Sequence, residues 1–421
     1  MKSPHLQCAH CGASYPALSP RADCTCGGLF DVLQCPAASG RVLRARFDRR
    51  RRDGDPTVGG SGVWRFRELL LPGGGATVTH PEGNTPLYRR DALARYVGHE
   101  DLSLKHEGEN PTGSFKDRGM TVAVTQAVRA GATAVACAST GNTSASMAAY
   151  AAQAGVPALV FVPAGKVAAG KLAQALAYGA RTLLVRGDFD ACLRLVREAS
   201  EALSIALLNS INPWRLEGQK TIVWELLQQR AWQPPDWIVV PAGNLGNTSA
   251  FGKALREAYG LGFVRRIPRI ASVQAAGANP FYRSFESGFR KRYRVEADTV
   301  ATAIRIGEPA SHDRAVRAIR ETDGVVTAVS DREILEAKAV VDAAGIGCEP
   351  ASAAAVAGVR RLVREGTIRK GQSVVAILTG HLLKDPGIVL EYHSRRGGRR
   401  NPPVSIEPRL ADVERVLKNR R

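Results

Sequence analysis

Lys116 stands in the stretch Lys105 to Met120, KHEGENPTGSFKDRGM, after the turn-rich residues Asn110, Pro111, Thr112 and Gly113 and ahead of a segment of helical composition. Flanked by Ser114 and Phe115 at a loop-to-helix junction, its amine is placed to lose solvent. Desolvation lowers a lysine pKa, and a neutral amine condenses with an aldehyde. Two glycine-asparagine loops share this chemistry. Ser139 to Ser144, STGNTS, offers hydroxyls and backbone N–H groups to a carboxylate, and Asn142 adds an amide for a neighbouring oxygen. Gly243 to Ser249, GNLGNTS, lets backbone N–H groups converge before a helix, an anion nest suited to a phosphate. It lacks the GxGxxG and following acidic residue of a dinucleotide site, and the GK[ST] of a P-loop. Near the N-terminus, Cys8, Cys11, Cys24 and Cys26 form CAHCG and CTCGG, with Cys35 to spare. Four thiolates suit a structural Zn²⁺; they close its coordination sphere, which argues against a catalytic metal.

The elements that must hold these groups alternate as strand and helix from Leu102 onward. LSLKHE, AVACAS (Ala134 to Ser139), ALVFVP (Ala158 to Pro163) and RTLLVRG read as strands with helices between them. The second half repeats the pattern with DWIVVP, RIASVQA and VTAVSD, the last leading to a helix capped at Asp331, and SVVAILTGH closes the sheet. Such alternation predicts an α/β protein with two doubly wound parallel sheets, and ligands in such sheets gather beyond the carboxyl ends of the strands. A lysine, an anion nest and a carboxylate loop would then share one edge. That combination suggests an amino acid as substrate and pyridoxal phosphate as the electron sink.

The chain has 421 residues, a net charge of +19 and 44% hydrophobic residues, enough for two or three domains. No apolar run is long enough to span a membrane, and the N-terminus lacks a signal-peptide core, so the expected compartment is the cytoplasm. Arg41 to Arg52 carries seven arginines against Asp48, and Ser394 to Arg421 nine basic residues against three acidic ones. Neither run has aromatics placed to stack on bases, so both read as solvated surface rather than nucleic-acid contacts. A basic surface also draws in an anionic substrate.

ENPTGSFKDRG, ASTGNTSAS, GNLGNTSA, CEPASAAA and ILTGHLLKD, in that order, resemble the threonine synthases of the fold-type II (tryptophan synthase β-like) pyridoxal-phosphate enzymes, over roughly Val63 to Pro386. The cysteine module is also similar to one found in many bacterial and archaeal members. The resemblance implies that Lys116 holds the cofactor, Phe115 stacks on its ring, Asn142 bonds its phenolic oxygen, Gly243, Asn244, Leu245, Gly246 and Asn247 cradle its phosphate, and Thr379 meets its pyridine nitrogen. It implies O-phospho-L-homoserine as substrate, with Ser139, Thr140, Asn142 and Thr143 at its carboxylate and Asn209, Ser210 and Arg215 at its phosphate. It further implies a homodimer. Leu382 departs from the family's usual glycine after the TGH histidine.

The expected division is a zinc-ribbon-like module at 1–40, a large cofactor domain from 41–116 and 209–386, a small mobile domain at 117–208 and a basic tail at 387–421. A threonine dehydratase or a cysteate-synthase-like enzyme is the alternative on the same scaffold, and a zinc-ribbon nucleic-acid binder the alternative from another class. His106 and Glu107 read as ordering the lysine loop, Glu349 as a helix start near the cofactor, and Cys137, Cys192 and Cys348 as buried small residues.

Overall fold

Trp237–Pro241 and Val374–Leu378 are buried at every residue, as strands covered by helices on both faces must be. They are neighbours at the centre of a six-stranded sheet ordered Val325–Val329, Arg269–Ala275, Trp237–Pro241, Val374–Leu378, Leu102–His106 and Leu87–Tyr88. A second sheet, four-stranded and parallel, runs Arg181–Val185, Ala158–Pro163, Ala134–Ala138, Ile205–Leu207. In the first sheet only Leu87–Tyr88 is antiparallel. A third, antiparallel sheet of Ser14–Pro16, His5–Cys8 and Phe30–Leu33 carries the cysteines. The structure is a computed structural model that describes residues 4–19, 21–55, 60–71, 73–165, 169–394 and 399–418.

Two expectations need correction. Val374–Leu378 does not close its sheet: it pairs on one side with Trp237–Pro241 and on the other with Leu102–His106. The last strand in sequence thus joins the first parallel strand to the rest. The cap of the helix Asp331–Ala343 is Ser330, not Asp331. Ser330 Oγ accepts from Glu333 N while Glu333 accepts from Ser330 N, a capping box that outcompetes a lone aspartate. The Asp331 carboxylate instead accepts from Thr299 Oγ1 and Val300 N.

The arginine run lies on the helix Gly40–Asp53, which buries Leu43 and Phe47. Arg50 pairs with Glu68 at 2.7 Å, and the Arg44 guanidinium lies 5.5 Å from the Trp232 ring centroid. The tail forms the helix Leu410–Lys418; its residues 395–398 and 419–421 lie outside the described part. Among the described residues no helix is long and apolar enough to cross a membrane.

Beneath the lysine loop lies a fully buried ionic network. Glu225 accepts from Lys105 Nζ at 2.5 Å, Arg118 Nη2 at 2.8 Å and Arg65 Nη2 at 3.2 Å, and from the backbone of Asn84 and Thr85. Glu107 accepts from Arg118 Nε at 2.6 Å, from Thr85 Oγ1 and from Asn110 Nδ2. Three cations surround two carboxylates, which holds both carboxylates in their charged form despite burial. Glu225→Gln should therefore lower unfolding stability by roughly 3–5 kcal/mol, because it leaves buried cations without their counter-charge. Urea unfolding checks this; a loss below about 1 kcal/mol would mean water takes over the vacated contacts.

Candidate active site

The parallel strands deliver their following loops to one edge, as the alternation requires. After Leu102–His106 comes the lysine loop, and Lys116 opens the helix Lys116–Arg129. Main-chain bonds pin this loop to the turn after Val374–Leu378: Phe115 N donates to Thr379 O at 2.9 Å, and His381 N to Gly113 O at 2.9 Å. Asp117 fixes it from the other side, accepting from Thr112 N, Thr112 Oγ1 and Ser146 Oγ. Ser146 belongs to the helix Asn142–Ala154, so one carboxylate ties the lysine loop to the STGNTS loop's helix. His106 and Glu107 do order the lysine loop: His106 Nδ1 accepts from Gly108 N, and Glu107 holds Arg118.

Lys116 Nζ lies 4.2 Å from the Phe115 ring centroid. Burial, reinforced by the nearby Arg215 charge and opposed by Glu349, pushes its pKa down to about 7. An amine so poised is a nucleophile toward a carbonyl near neutrality. Trapping of an added aldehyde on Lys116 by borohydride reduction should rise through pH 7 and level off above it, since the neutral form reacts. A profile that keeps rising toward the ordinary lysine range would contradict the depressed pKa.

Asn142, Glu349 and Thr379 converge. Asn142 Nδ2 donates to Glu349 Oε2 at 3.0 Å, and Thr379 Oγ1 donates to Glu349 Oε1 at 3.3 Å. Thr379 Oγ1 also lies 3.0 Å from Ser352 Oγ. Glu349 is the N-cap of the helix Pro350–Arg364, and burial raises its carboxyl pKa. Sequence reasoning placed Glu349 near the site but missed its bonds to two of the expected cofactor ligands. Leu382 lies across Gly347, whose φ is +74°; a Cβ there would stand 3.3 Å from Leu382 Cβ and overlap its Cδ2.

Strand Trp237–Pro241 leads into the second loop and the helix Gly246–Gly260. Leu245 adopts φ 64°, in the left-handed region, and no side chain caps the helix. Gly243 is required sterically: a Cβ there would stand 2.9 Å from Ile304 Cα. Asn247 Oδ1 and Gln219 Oε1 are buried with no hydrogen-bond partner among the described residues. Asn244 Nδ2 donates to Ser210 Oγ at 3.2 Å, which joins this loop to the segment NSINPWR.

In that segment Asn209 is engaged with strand Ala134–Ala138, its amide accepting from Ala138 N at 3.0 Å and donating to Ala138 O. Arg215 differs. It is fully buried in the helix Pro213–Gln219, its Nη1 donating to Leu208 O at 3.1 Å and its Nη2 to Thr143 Oγ1 at 3.4 Å. Its Nε has no partner, and no carboxylate among the described residues pairs with it. Burial lowers its pKa to about 10, still charged at neutral pH. A buried guanidinium without a counter-charge, whose field reaches Lys116, suits an anion. In the STGNTS loop, Ser139 Oγ accepts from Gly141 N and Ser144 Oγ donates to Gly141 O, while Thr140 is half-buried.

Away from this edge, the sulfurs of Cys8, Cys11, Cys24 and Cys26 all lie within 4.8 Å of one another. His10 N and Cys11 N donate to Cys8 Sγ, and a Cβ on Gly28 would stand 2.8 Å from His10 Cβ. Cys137, Cys192 and Cys348 are buried; burial pushes the Cys137 thiol up to about 12, unsuited to nucleophilic work.

The family described as "Pyridoxal-phosphate dependent enzyme" matches residues 78–380. The chain is 48% identical to the threonine synthase of Methanosarcina acetivorans, across 92% of this chain and 94% of that one. It is 42% identical to the threonine synthase of Methanocaldococcus jannaschii, across 98% and 99% of the two. Among solved structures, the processed threonine deaminase isoform 2 of Solanum lycopersicum superposes with a TM-score of 0.61 at 22% identity, over 71% of this chain and 84% of that one, a likeness of fold. The match over residues 78–380 and identities of 48% and 42% across nearly the whole chain decide it: the chain belongs to the pyridoxal-phosphate dependent enzymes.

Proposed function

We propose that this protein is a threonine synthase, converting O-phospho-L-homoserine and water to L-threonine and phosphate. The observation that carries the reading is Arg215, a buried cation with no carboxylate partner among the described residues, whose charge reaches Lys116. A substrate with a distal phosphate brings a second anion for this cation; a simple hydroxy-amino acid brings only its carboxylate, which residues 139–143 would receive. The sequence identity to threonine synthases over nearly the whole chain supports the same reading.

The residues present fit pyridoxal phosphate. The cup 243–247 admits no Cβ at Gly243 and offers uncapped N–H groups to the phosphate, Asn142 and Thr379 bracket the ring position beside Glu349, and Phe115 underlies the amine. When bound, the cofactor supplies an electron sink for negative charge developing on substrate carbon. Lys116 would hold the cofactor and move protons at the substrate's Cα and Cβ, with a pKa of about 7 allowing it both to take and to return them. Ser139, Thr140, Asn142 and Thr143, at the N-terminal end of helix Asn142–Ala154, would receive the carboxylate. Arg215 and Ser210, with Asn209 framing the loop, would hold the phosphate as it leaves Cγ. Cγ then takes up a proton to become the methyl carbon, and water adds at Cβ. The segment 117–208, with its separate four-stranded sheet, is the body we infer to close on 41–116 and 209–386 and keep water out until phosphate departs.

Incubation with O-phospho-L-homoserine should release threonine and phosphate in equal amounts. O-phospho-L-serine and L-threonine are the discriminating substrates: faster turnover of either would move the assignment to a β-replacement enzyme or a dehydratase.

We further propose that residues 1–40 hold one structural Zn²⁺ on Cys8, Cys11, Cys24 and Cys26, whose sulfurs are gathered at a separation a tetrahedral ion spans. Elemental analysis should find zinc in the purified protein, and Cys24→Ser should lose it. A zinc content unchanged in that variant would sink the site. A cytoplasmic location fits the eight free cysteines. A homodimer is the assembly the resemblance implies, and sedimentation analysis tests it.

A further inference from the structure

A buried arginine joins the cysteine module to the residue that supports the cup at 243–247. Arg314 is 4% exposed on the helix His312–Glu321. Its Nη1 donates to Phe30 O at 3.0 Å, its Nη2 donates to Ser311 Oγ at 3.0 Å, and its Nε has no hydrogen-bond partner. Phe30 sits directly across from Cys8 in the antiparallel pairing, so one arm of the guanidinium grips the strand facing a thiol of the sulfur cluster. The other arm grips the support of the cup. Ser311 N donates to Asn244 O at 3.2 Å, the preceding Ala310 N donates to Asn244 Oδ1 at 3.3 Å, and Ser311 O accepts from Ser249 Oγ at 3.4 Å. A second tie runs alongside: Lys253, on the helix that starts at the cup, donates to Val32 O at 2.6 Å.

A buried guanidinium that bonds only neutral oxygens is a costly fastener; apolar packing joins two surfaces more cheaply. What it provides is direction, since its planar fork fixes both acceptors relative to each other. One acceptor is the module's main chain and the other is the residue on which Asn244 rests. We propose that Arg314 is a positioning residue, which uses the cysteine module as an abutment to hold Ser311, and through it the Asn244 main chain, in the shape that receives the cofactor's phosphate. This rests on the reading of 243–247 as the phosphate cup.

The test separates the two ideas by using a cofactor with and without its phosphate. Cofactor-stripped wild type and the variants Ser311→Ala, Arg314→Ala, Arg314→Lys and Arg317→Ala are titrated with pyridoxal phosphate and with pyridoxal, following visible absorbance. Ser311→Ala and Arg314→Ala should bind pyridoxal phosphate about tenfold more weakly, the effect of losing one oriented charge-assisted bond, while their affinity for pyridoxal stays at the wild-type value. Arg314→Lys should recover part of the loss. Arg317→Ala, which removes the pair with Asp31 at 2.7 Å and leaves both Arg314 bonds in place, should match wild type. Should Arg314→Ala fail to fold, Ser311→Ala and Arg314→Lys decide the matter alone. Wild-type affinity in Ser311→Ala and Arg314→Lys, or an equal loss for both ligands, overturns the role of Arg314. A wild type that binds the two ligands equally overturns the cup itself, and the inference with it.

Discussion

Lys116→Ala should lose turnover of O-phospho-L-homoserine by about 10⁴-fold or more, because one side chain both anchors the cofactor and moves the protons. The purified variant should also lack the visible absorbance of covalently held cofactor. The neighbouring framework does not depend on the amine: Asp117 and Arg118 keep the loop fixed through Thr112, Ser146 and Glu107. The variant should accordingly unfold at the same denaturant concentration as cofactor-stripped wild type. Turnover within tenfold of wild type would remove Lys116 from the chemistry and move the search to another amine.

Arg215→Ala should reduce kcat/KM for O-phospho-L-homoserine by roughly 10²- to 10³-fold, corresponding to the approximately 3–4 kcal/mol typical of removing one partner from a buried, hydrogen-bonded charge pair. Lysine at this position should restore little, since a point charge on a flexible stem cannot reproduce the fork that spans Leu208 O and Thr143 Oγ1. A second effect has the opposite sense. The Arg215 charge helps hold Lys116 down at about pH 7, so its removal should shift the Lys116 titration upward. Aldehyde trapping across pH measures that shift. An unshifted profile together with an unchanged kcat/KM would place the substrate's phosphate elsewhere.

Much of this site was legible from short-range pattern. Lys116, the STGNTS loop and the glycine-asparagine cup are each contiguous stretches whose chemistry follows from a few neighbouring residues. Partners brought together from far apart were not legible. The bond from Asn142 to Glu349 spans 207 positions and that from Arg314 to Phe30 spans 284, and no local pattern marks either. Glu225 reads as one more charge on a helix until Lys105, Arg118 and Arg65 are seen around it. Order within the sheet was also hidden, because alternation reveals that strands are parallel but not which strand lies between which. The cap at Ser330 was missed for a local reason: serine and aspartate are adjacent there, and only the return bond from Glu333 decides between them.

The packing of Leu382 on Gly347 binds the histories of two distant positions. With φ at +74° and the leucine across it, position 347 tolerates neither a side chain nor ready drift. A homologue that keeps glycine at 382 is released from the steric half of that restriction. Substitutions at 347 should therefore survive in such lineages and vanish where a branched chain fills 382, so that the pair diverges in step.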